Sequence, residues 1–173
     1  MIYTNVDEYL KRAGSQGPHF PASPVTGYEI DRPAMVATSG AFDIITSGHI
    51  KLFETMRRLG SFTVVLLNTE ESIRRYKSPA RPIKEWQDRA MILDAMKHVA
   101  VVIGFDEADP RYAINKLKPH IWVKGNRPFD QIVEAKDVMA HGGTMVSLWT
   151  QYLDSTTGYI KKAHEVYVAE SEE

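Results

Sequence analysis

From residue 34 onward, short apolar runs alternate with stretches patterned for helix, and a chain written in that order folds most economically as a parallel sheet whose crossover helices cover both faces. Residues 34–38, 62–68, 100–105, 121–124 and 144–149 are the expected strands. Helices are expected over 48–59, 85–99, 110–117, 131–141 and from Ser155 to about residue 169. Five βα units of this kind predict an α/β, Rossmann-like three-layer sandwich. Within the first helix Leu52, Met56 and Leu59 recur at i, i+4 and i+7, a face that packs on the sheet, and Gly60 stands where a left-handed C-terminal cap is expected. Ser155 is the expected N-cap of the last helix, its hydroxyl accepting from a backbone N–H of the first turn.

The preceding segment is written differently. Gly14, Gly17, Pro18, Pro21, Pro24, Gly27 and Pro33 interrupt residues 1–33 too often for long regular elements, which leaves a short helix over 6–12 in an otherwise irregular arm. The expected division is therefore an N-terminal arm over 1–33 and one compact domain over 34–173. Apolar residues make up 43% of the chain, enough to build a core. The formal charge of −1, from 21 basic against 22 acidic side chains, provides no global field for a nucleic-acid backbone, so any phosphate binding has to be local. Without cysteine there is no disulfide, zinc-thiolate site or thiol nucleophile. No basic stretch leads into an apolar core at the start, and no apolar run approaches the roughly 18 residues of a membrane span, so a cytoplasmic protein without a membrane partner is expected.

In an open parallel sheet, ligands collect at the carboxyl ends of the strands, where loops lead into helix N-termini. The first strand is followed there by Ser39-Gly40-Ala41-Phe42-Asp43-Ile44-Ile45-Thr46-Ser47-Gly48-His49, a glycine-containing turn running into a helix whose free N–H groups suit a phosphate. Neither the phosphate loop GxxxxGK[ST] nor the dinucleotide pattern GxGxxG occurs. The six histidines show no HExxH spacing, no paired-carboxylate hydrolase motif is present, and Ser39 has no G-x-S-x-G setting. Three further polar segments fall at comparable places: Lys77-Ser78-Pro79-Ala80-Arg81-Pro82 with Gln87-Asp88-Arg89 after it, Ile121-Trp122-Val123-Lys124-Gly125, and Asp154-Ser155-Thr156-Thr157.

Together these segments resemble the nucleotidyltransferase superfamily that includes the cytidylyltransferases and the ADP-heptose synthase adenylyltransferases, with glycerol-3-phosphate cytidylyltransferase as a relative. Its hallmark GxFDxxHxGH stands here at residues 40–49 with Thr46 in place of the first histidine, and the likeness extends over most of residues 35–162. The heptose branch is the nearest, through its lysine and arginine-proline loop, its VKG strand end and its STT turn. That resemblance implies a five-stranded sheet of order 3-2-1-4-5 with the cleft between strands 1 and 4. It further implies transfer of AMP or CMP from an NTP to a phosphorylated sugar or polyol with release of pyrophosphate, ATP being favoured. Mg²⁺ would arrive with the NTP and take no protein side chain as ligand, and a homodimer is expected.

Residue by residue, the resemblance makes His49, Lys77, Thr46 and Arg89 the catalytic candidates. Ser39, Gly40, Ala41, Phe42, Gly48, His49, Lys124, Gly125, Ser155 and Thr156 are the candidate nucleotide and phosphate contacts, and Asp43, Arg81, Asn126 and Arg127 the candidate substrate contacts. A threonine hydroxyl at 46 still donates to a phosphate oxygen but is never cationic. Plainer readings stand beside these: Lys77 and Arg81 as surface charges, Arg89 as a surface ion-pair residue, Lys124 as the solvated end of a strand, Phe42 as core, Asp43 as an organiser of the turn, Ser155 and Thr156 as caps. Thr46 and Arg127 also leave open a module that binds nucleotide without turning it over.

Overall fold

The computed structural model describes residues 1–13, 34–149 and 156–171. In chain order these form β1 (Ile2–Tyr3), α1 (Val6–Ala13), β2 (Met35–Gly40), α2 (Ser47–Leu59), β3 (Phe62–Asn68), α3 (Glu70–Tyr76), α4 (Trp86–Asp94), β4 (Val101–Phe105), α5 (Arg111–Leu117), β5 (Ile121–Gly125), a 3₁₀ turn (Phe129–Gln131), α6 (Ala135–Ala140), β6 (Thr144–Leu148) and α7 (Thr156–Ser171). Among the described residues the sheet is wholly parallel and six-stranded, in the order β1-β4-β3-β2-β5-β6. The expected count of five is thus corrected to six. The sixth strand is β1, which sets Ile2 opposite Val102 and Tyr3 opposite Ile103 at the edge of β4, outside the five strands that were foreseen. Two residues are too few to show periodicity, so this strand leaves no sequence signal.

The arm expected over 1–33 needs the same correction at its beginning. Helix α1 buries Val6 and Tyr9 in the core, and Gly104 gives way to the incoming chain, since a Cβ there would lie 2.2 Å from the Thr4 carbonyl oxygen. Residues 14–33 lie outside the described residues.

Strand alternation sorts the core into two layers. Met35, Ala37, Val64, Leu66, Val101, Ile103 and Trp122 share one cluster with Val6, Tyr9, Ala113, Ile114, Leu117 and Val138 of α1, α5 and α6. Their neighbours Val36, Val65, Leu67, Val102 and Val123 meet Leu52, Phe53 and Met56 of α2 and Ala90 and Leu93 of α4 on the opposite face. Successive side chains of a strand point to opposite faces, so one unbroken apolar run such as Phe62–Asn68 serves both layers.

Several helix bounds differ from expectation. The helix expected over 85–99 ends at Asp94, because the Met96 and Val99 N–H groups turn back onto the Leu93 and Met96 carbonyls before β4. Residues 131–141 divide into the 3₁₀ turn and α6. Helix α3 was not foreseen, since it buries only Ser72 and Ile73 and so has no apolar stripe. Its local chemistry is nonetheless favourable: Thr69 accepts from the Ser72 N–H, Glu70 and Glu71 occupy the first turn, and Arg74 and Arg75 the last.

Gly60 is not the left-handed cap expected of it. Its backbone is extended (φ −165°), and a Cβ would sit 2.4 Å from Val36 Cγ2 and 2.5 Å from the Ala34 carbonyl oxygen. The glycine is required by close approach where α2 passes into β3. Gly60→Ala is expected to lower unfolding stability by about 1–3 kcal/mol, the usual range for an overpacked core, with the urea m-value unchanged. A wild-type midpoint in that variant would contradict this packing.

Candidate active site

Strands β2 and β5 pair only through Val36 with Ile121 and Ala37 with Trp122. Beyond them the Thr38 hydroxyl donates to the Val123 carbonyl at 2.7 Å, after which β2 continues with β3 as far as Gly40 and β5 with β6 as far as Gly125. The two strands part at their carboxyl ends, where the sheet order reverses, and a cleft of about 590 Å³ opens between them. That volume lies in the ordinary range for small-molecule sites. Ser39, Gly40, Ala41, Phe42, Asp43, Thr46, Gly48, His49, Lys77, Arg81, Lys124, Gly125, Asn126 and Arg127 all line it. Thr38, Leu148, and Ser78 and Thr157 from two of the quoted motifs line it too, without having been named as candidate contacts. Ser155 lies outside the described residues, and Thr156 is described only as the backbone that begins α7.

The turn after β2 is shaped by Phe42. This residue adopts a left-handed backbone (φ 44°), a costly state for an aromatic residue that its packing on Phe53, 5.4 Å between ring centroids, holds in place. A Cβ on Gly40 would come within 3.0 Å of the Phe42 ring, so the glycine makes room for it. Thr46 is the extended N-cap of α2. His49, three residues on, turns its Nδ1 back to accept the Thr46 backbone N–H at 3.0 Å, with the Thr46 hydroxyl 3.2 Å from the same nitrogen. Because Nδ1 is an acceptor, the ring proton resides on Nε2. The edge of the ring meets Phe42 at 5.3 Å, and burial, with the Lys77 charge second, lowers its pKa. His49 is therefore a neutral, oriented N–H donor at the helix N-terminus.

The cations Lys77 and Arg81 of the 77–85 loop line the same cleft. Lys77 caps the C-terminus of α3, and burial followed by the neighbouring Arg81 charge lowers its pKa. Arg81 lies 3.6 Å from the Asp43 carboxylate. Asp43 is the single carboxylate lining the cleft among the described residues, and its oxygens accept the N–H groups of Ile83 and Lys84 at 2.9–3.0 Å. Arg89 corrects expectation: it is fully buried, does not line the cleft, and donates to the Lys84, Ala41 and Asn68 carbonyls at 3.0, 2.8 and 2.7 Å. It is equally unlike a surface ion-pair residue, since its own side chain is fully buried where it meets the half-buried Glu70 at 3.4 Å.

On the other wall, Lys124 is not a solvated strand end. Its ammonium lies 2.9 Å from Glu134, donates to the Ser39 hydroxyl at 2.7 Å and reaches the Ser39 carbonyl at 3.5 Å. Desolvation lowers its pKa, and Glu134 partly offsets that. Glu134, itself buried, was missed, because it falls in a segment read as uninterrupted helix. Beyond Lys124 the chain opens: nothing lies within 4 Å of where a Gly125 Cβ would be, and Asn126 takes a left-handed backbone (φ 48°) that presents Arg127 at the mouth. The first turn of α7 reaches the same cleft through Thr157.

Known proteins resemble this chain in sequence and in fold. The bifunctional protein HldE of Gluconobacter oxydans (strain 621H) is 38% identical over 128 residues, 73% of this chain and 27% of that protein. Its counterpart in Syntrophotalea carbinolica is 39% identical over 135 residues, 77% of this chain and 27% of that protein. The chain thus spans about a quarter of the length of these relatives. Two solved structures share the fold: a lipopolysaccharide core biosynthesis protein from Thermoplasma volcanium, with a TM-score of 0.58 at 24% identity over 70% of this chain and 98% of that one, and the pantothenate synthetase of Thermus thermophilus, with 0.56 at 15% identity over 97% and 72%. A family model described as cytidylyltransferase-like matches residues 37–165, from the strand before the Gly40–His49 turn into α7. With the turn, the switch-point cleft and the start of the last helix inside that match, the chain belongs to the cytidylyltransferase-like family.

Proposed function

We propose that this chain is a nucleotidyltransferase that moves a nucleoside monophosphate from an NTP to a phosphorylated sugar or polyol. The carrying observation is His49, locked by the Thr46 N–H as a neutral Nε2–H donor in a cleft that also holds Lys77 and Arg81. An acceptor phosphate oxygen attacks the α-phosphorus, the new P–O bond forms as the α–β bridging bond breaks, and pyrophosphate leaves with the electron pair. No protein nucleophile is needed, so the cleft's task is to meet charge on the phosphate oxygens. His49 serves the α-phosphate, with Thr46, Gly48 and the α2 N–H groups beside it, while Lys77 and Arg81 neutralise the phosphates across the cleft.

Among the described residues no three acidic or histidine side chains cluster to hold a metal, and the Asp43 oxygens already accept backbone N–H groups. Mg²⁺ is expected to come in on the triphosphate, where it would neutralise oxygens as the charge shifts. ATP is favoured over CTP by the resemblance to the heptose branch. A symmetric homodimer in the cytoplasm completes the reading, the dimer being testable by light scattering. None of the described helices is long and apolar enough to cross a membrane.

Pyrophosphate release across a panel of NTPs and phosphomonoesters tests the function, with turnover expected for one pair. Calorimetric binding of nucleotide with no product from any pair would favour the module without turnover, a reading that no observation in the cleft supports.

A further inference from the structure

We propose that Asp43 and Arg89 are positioning residues that clamp the 77–85 loop onto the turn after β2, and so fix where Lys77 and Arg81 stand relative to the bound phosphates. The clamp is a closed circuit. Asp43 Oδ1 accepts from Lys84 N–H at 3.0 Å, and both its oxygens accept from Ile83 N–H. The carbonyl of the same Lys84 accepts from Arg89 Nε at 3.0 Å. Arg89 Nη1 then donates to the carbonyl of Ala41, two residues before Asp43, at 2.8 Å, and to Asn68 at the end of β3 at 2.7 Å. One residue of the loop is thereby held by its N–H and its C=O at once, by one side chain that belongs to the turn after β2 and another, on α4, that donates to that turn.

At its other end the loop is fixed by the Lys77 N–H, which donates to the Ile73 carbonyl at 2.9 Å and ends α3. Between the two anchors, Arg81 N–H closes a turn on the Ser78 carbonyl, and its guanidinium faces Asp43 at 3.6 Å. Lys77 and Arg81 therefore ride on a segment pinned at one end to α3 and at the other to the turn that leads into the helix of His49. Arg89 has no exposed surface through which to meet a ligand. Its planar fork reaches three carbonyls in three directions, which a lysine ammonium on a single flexible stem does not reproduce.

The effect on phosphate binding rests on the nucleotidyltransferase reading, whereas the clamp itself is testable without turnover. In hydrogen exchange the Ile83 and Lys84 amides are expected to be protected, and Asp43→Asn to speed both by at least about 10-fold while the β3 amides stay protected. Arg89→Lys keeps the charge and is expected to loosen the same two amides. The coupling is read by calorimetry with Mg²⁺-ATP or Mg²⁺-CTP, whichever binds. Lys77→Ala should weaken binding by about 10-fold in the wild type but by less than about 3-fold with Asp43→Asn present, because an unclamped lysine has less to lose. Unchanged Ile83 and Lys84 exchange in both variants, or an equal Lys77→Ala loss in both backgrounds, would overturn the clamp. Wild-type protein that binds nucleotide and shows the exchange pattern, yet turns over no substrate pair, would remove the function reading and leave the clamp standing.

Discussion

His49→Ala is expected to lower kcat by at least about 100-fold while leaving the fold intact, the usual cost of deleting one preorganised donor to transition-state charge. The ring is held on two sides, by the Thr46 N–H on Nδ1 and by the Phe42 ring at 5.3 Å, so its Nε2–H reaches the cleft without having to be ordered when the reaction occurs. Nucleotide affinity should change much less, because the α2 N–H groups, Lys77 and Arg81 remain. The pH dependence separates a neutral donor from a cationic one. Burial first, and Lys77 second, hold the His49 pKa below its ordinary 6.5, and protonating Nδ1 would forfeit the Thr46 hydrogen bond. Below pH 6.5 the unfolded ring binds a proton that the folded ring refuses, so His49 favours the folded state above that pH and loses this contribution as pH falls through the lowered folded value. Turnover by the wild type should pass through pH 6.5 without a His49 step. An acid limb centred there that disappears on substitution, or a His49→Ala enzyme of near wild-type kcat, would refute the assignment.

Much of this molecule is legible in its residues, and the illegible parts share a physical cause. The apolar runs of β2 to β6 announce a parallel sheet because each feeds two core layers, and the glycine turn at Gly40–His49 announces the cleft because phosphate chemistry needs free N–H groups at a helix start. Strand β1 has two residues and α3 a buried face of two, so neither has a period to detect. Gly60 was legible as a special position, but sequence does not distinguish a left-handed cap from a close approach, since both favour glycine. Arg89 and Lys124 show the deeper limit. A cation in a sequence reads as a group offered to a ligand or to solvent, and whether its donors are already taken depends on carbonyls and carboxylates brought in from distant elements. Arg89 meets Ala41 and Asn68, 48 and 21 positions away, and Lys124 meets Ser39, 85 positions away.

Lys124→Ala should destabilise the fold by about 3–5 kcal/mol, the cost of leaving one half of a buried ion pair behind. Glu134 has a side chain only 6% exposed, and the ammonium 2.9 Å away is the cation that meets it across the end of β5. Removing that ammonium also takes the donor from the Ser39 hydroxyl and the cation from the face of Trp122, 5.5 Å from the ring centroid. The pair as a whole is a different quantity, because desolvation of both charges offsets most of their attraction. Lys124→Met combined with Glu134→Gln removes both charges at similar volume, so it should recover most of the lost stability in urea denaturation. Such recovery would identify the pair as a device that fixes β5 and the chain entering α6 at the cleft wall, with Lys124 serving the ligand through placement of Ser39. A loss below about 1 kcal/mol for Lys124→Ala would mean that the carboxylate is hydrated after all, and a double variant as unstable as the single one would mean that packing around the lysine stem, not charge, holds this wall.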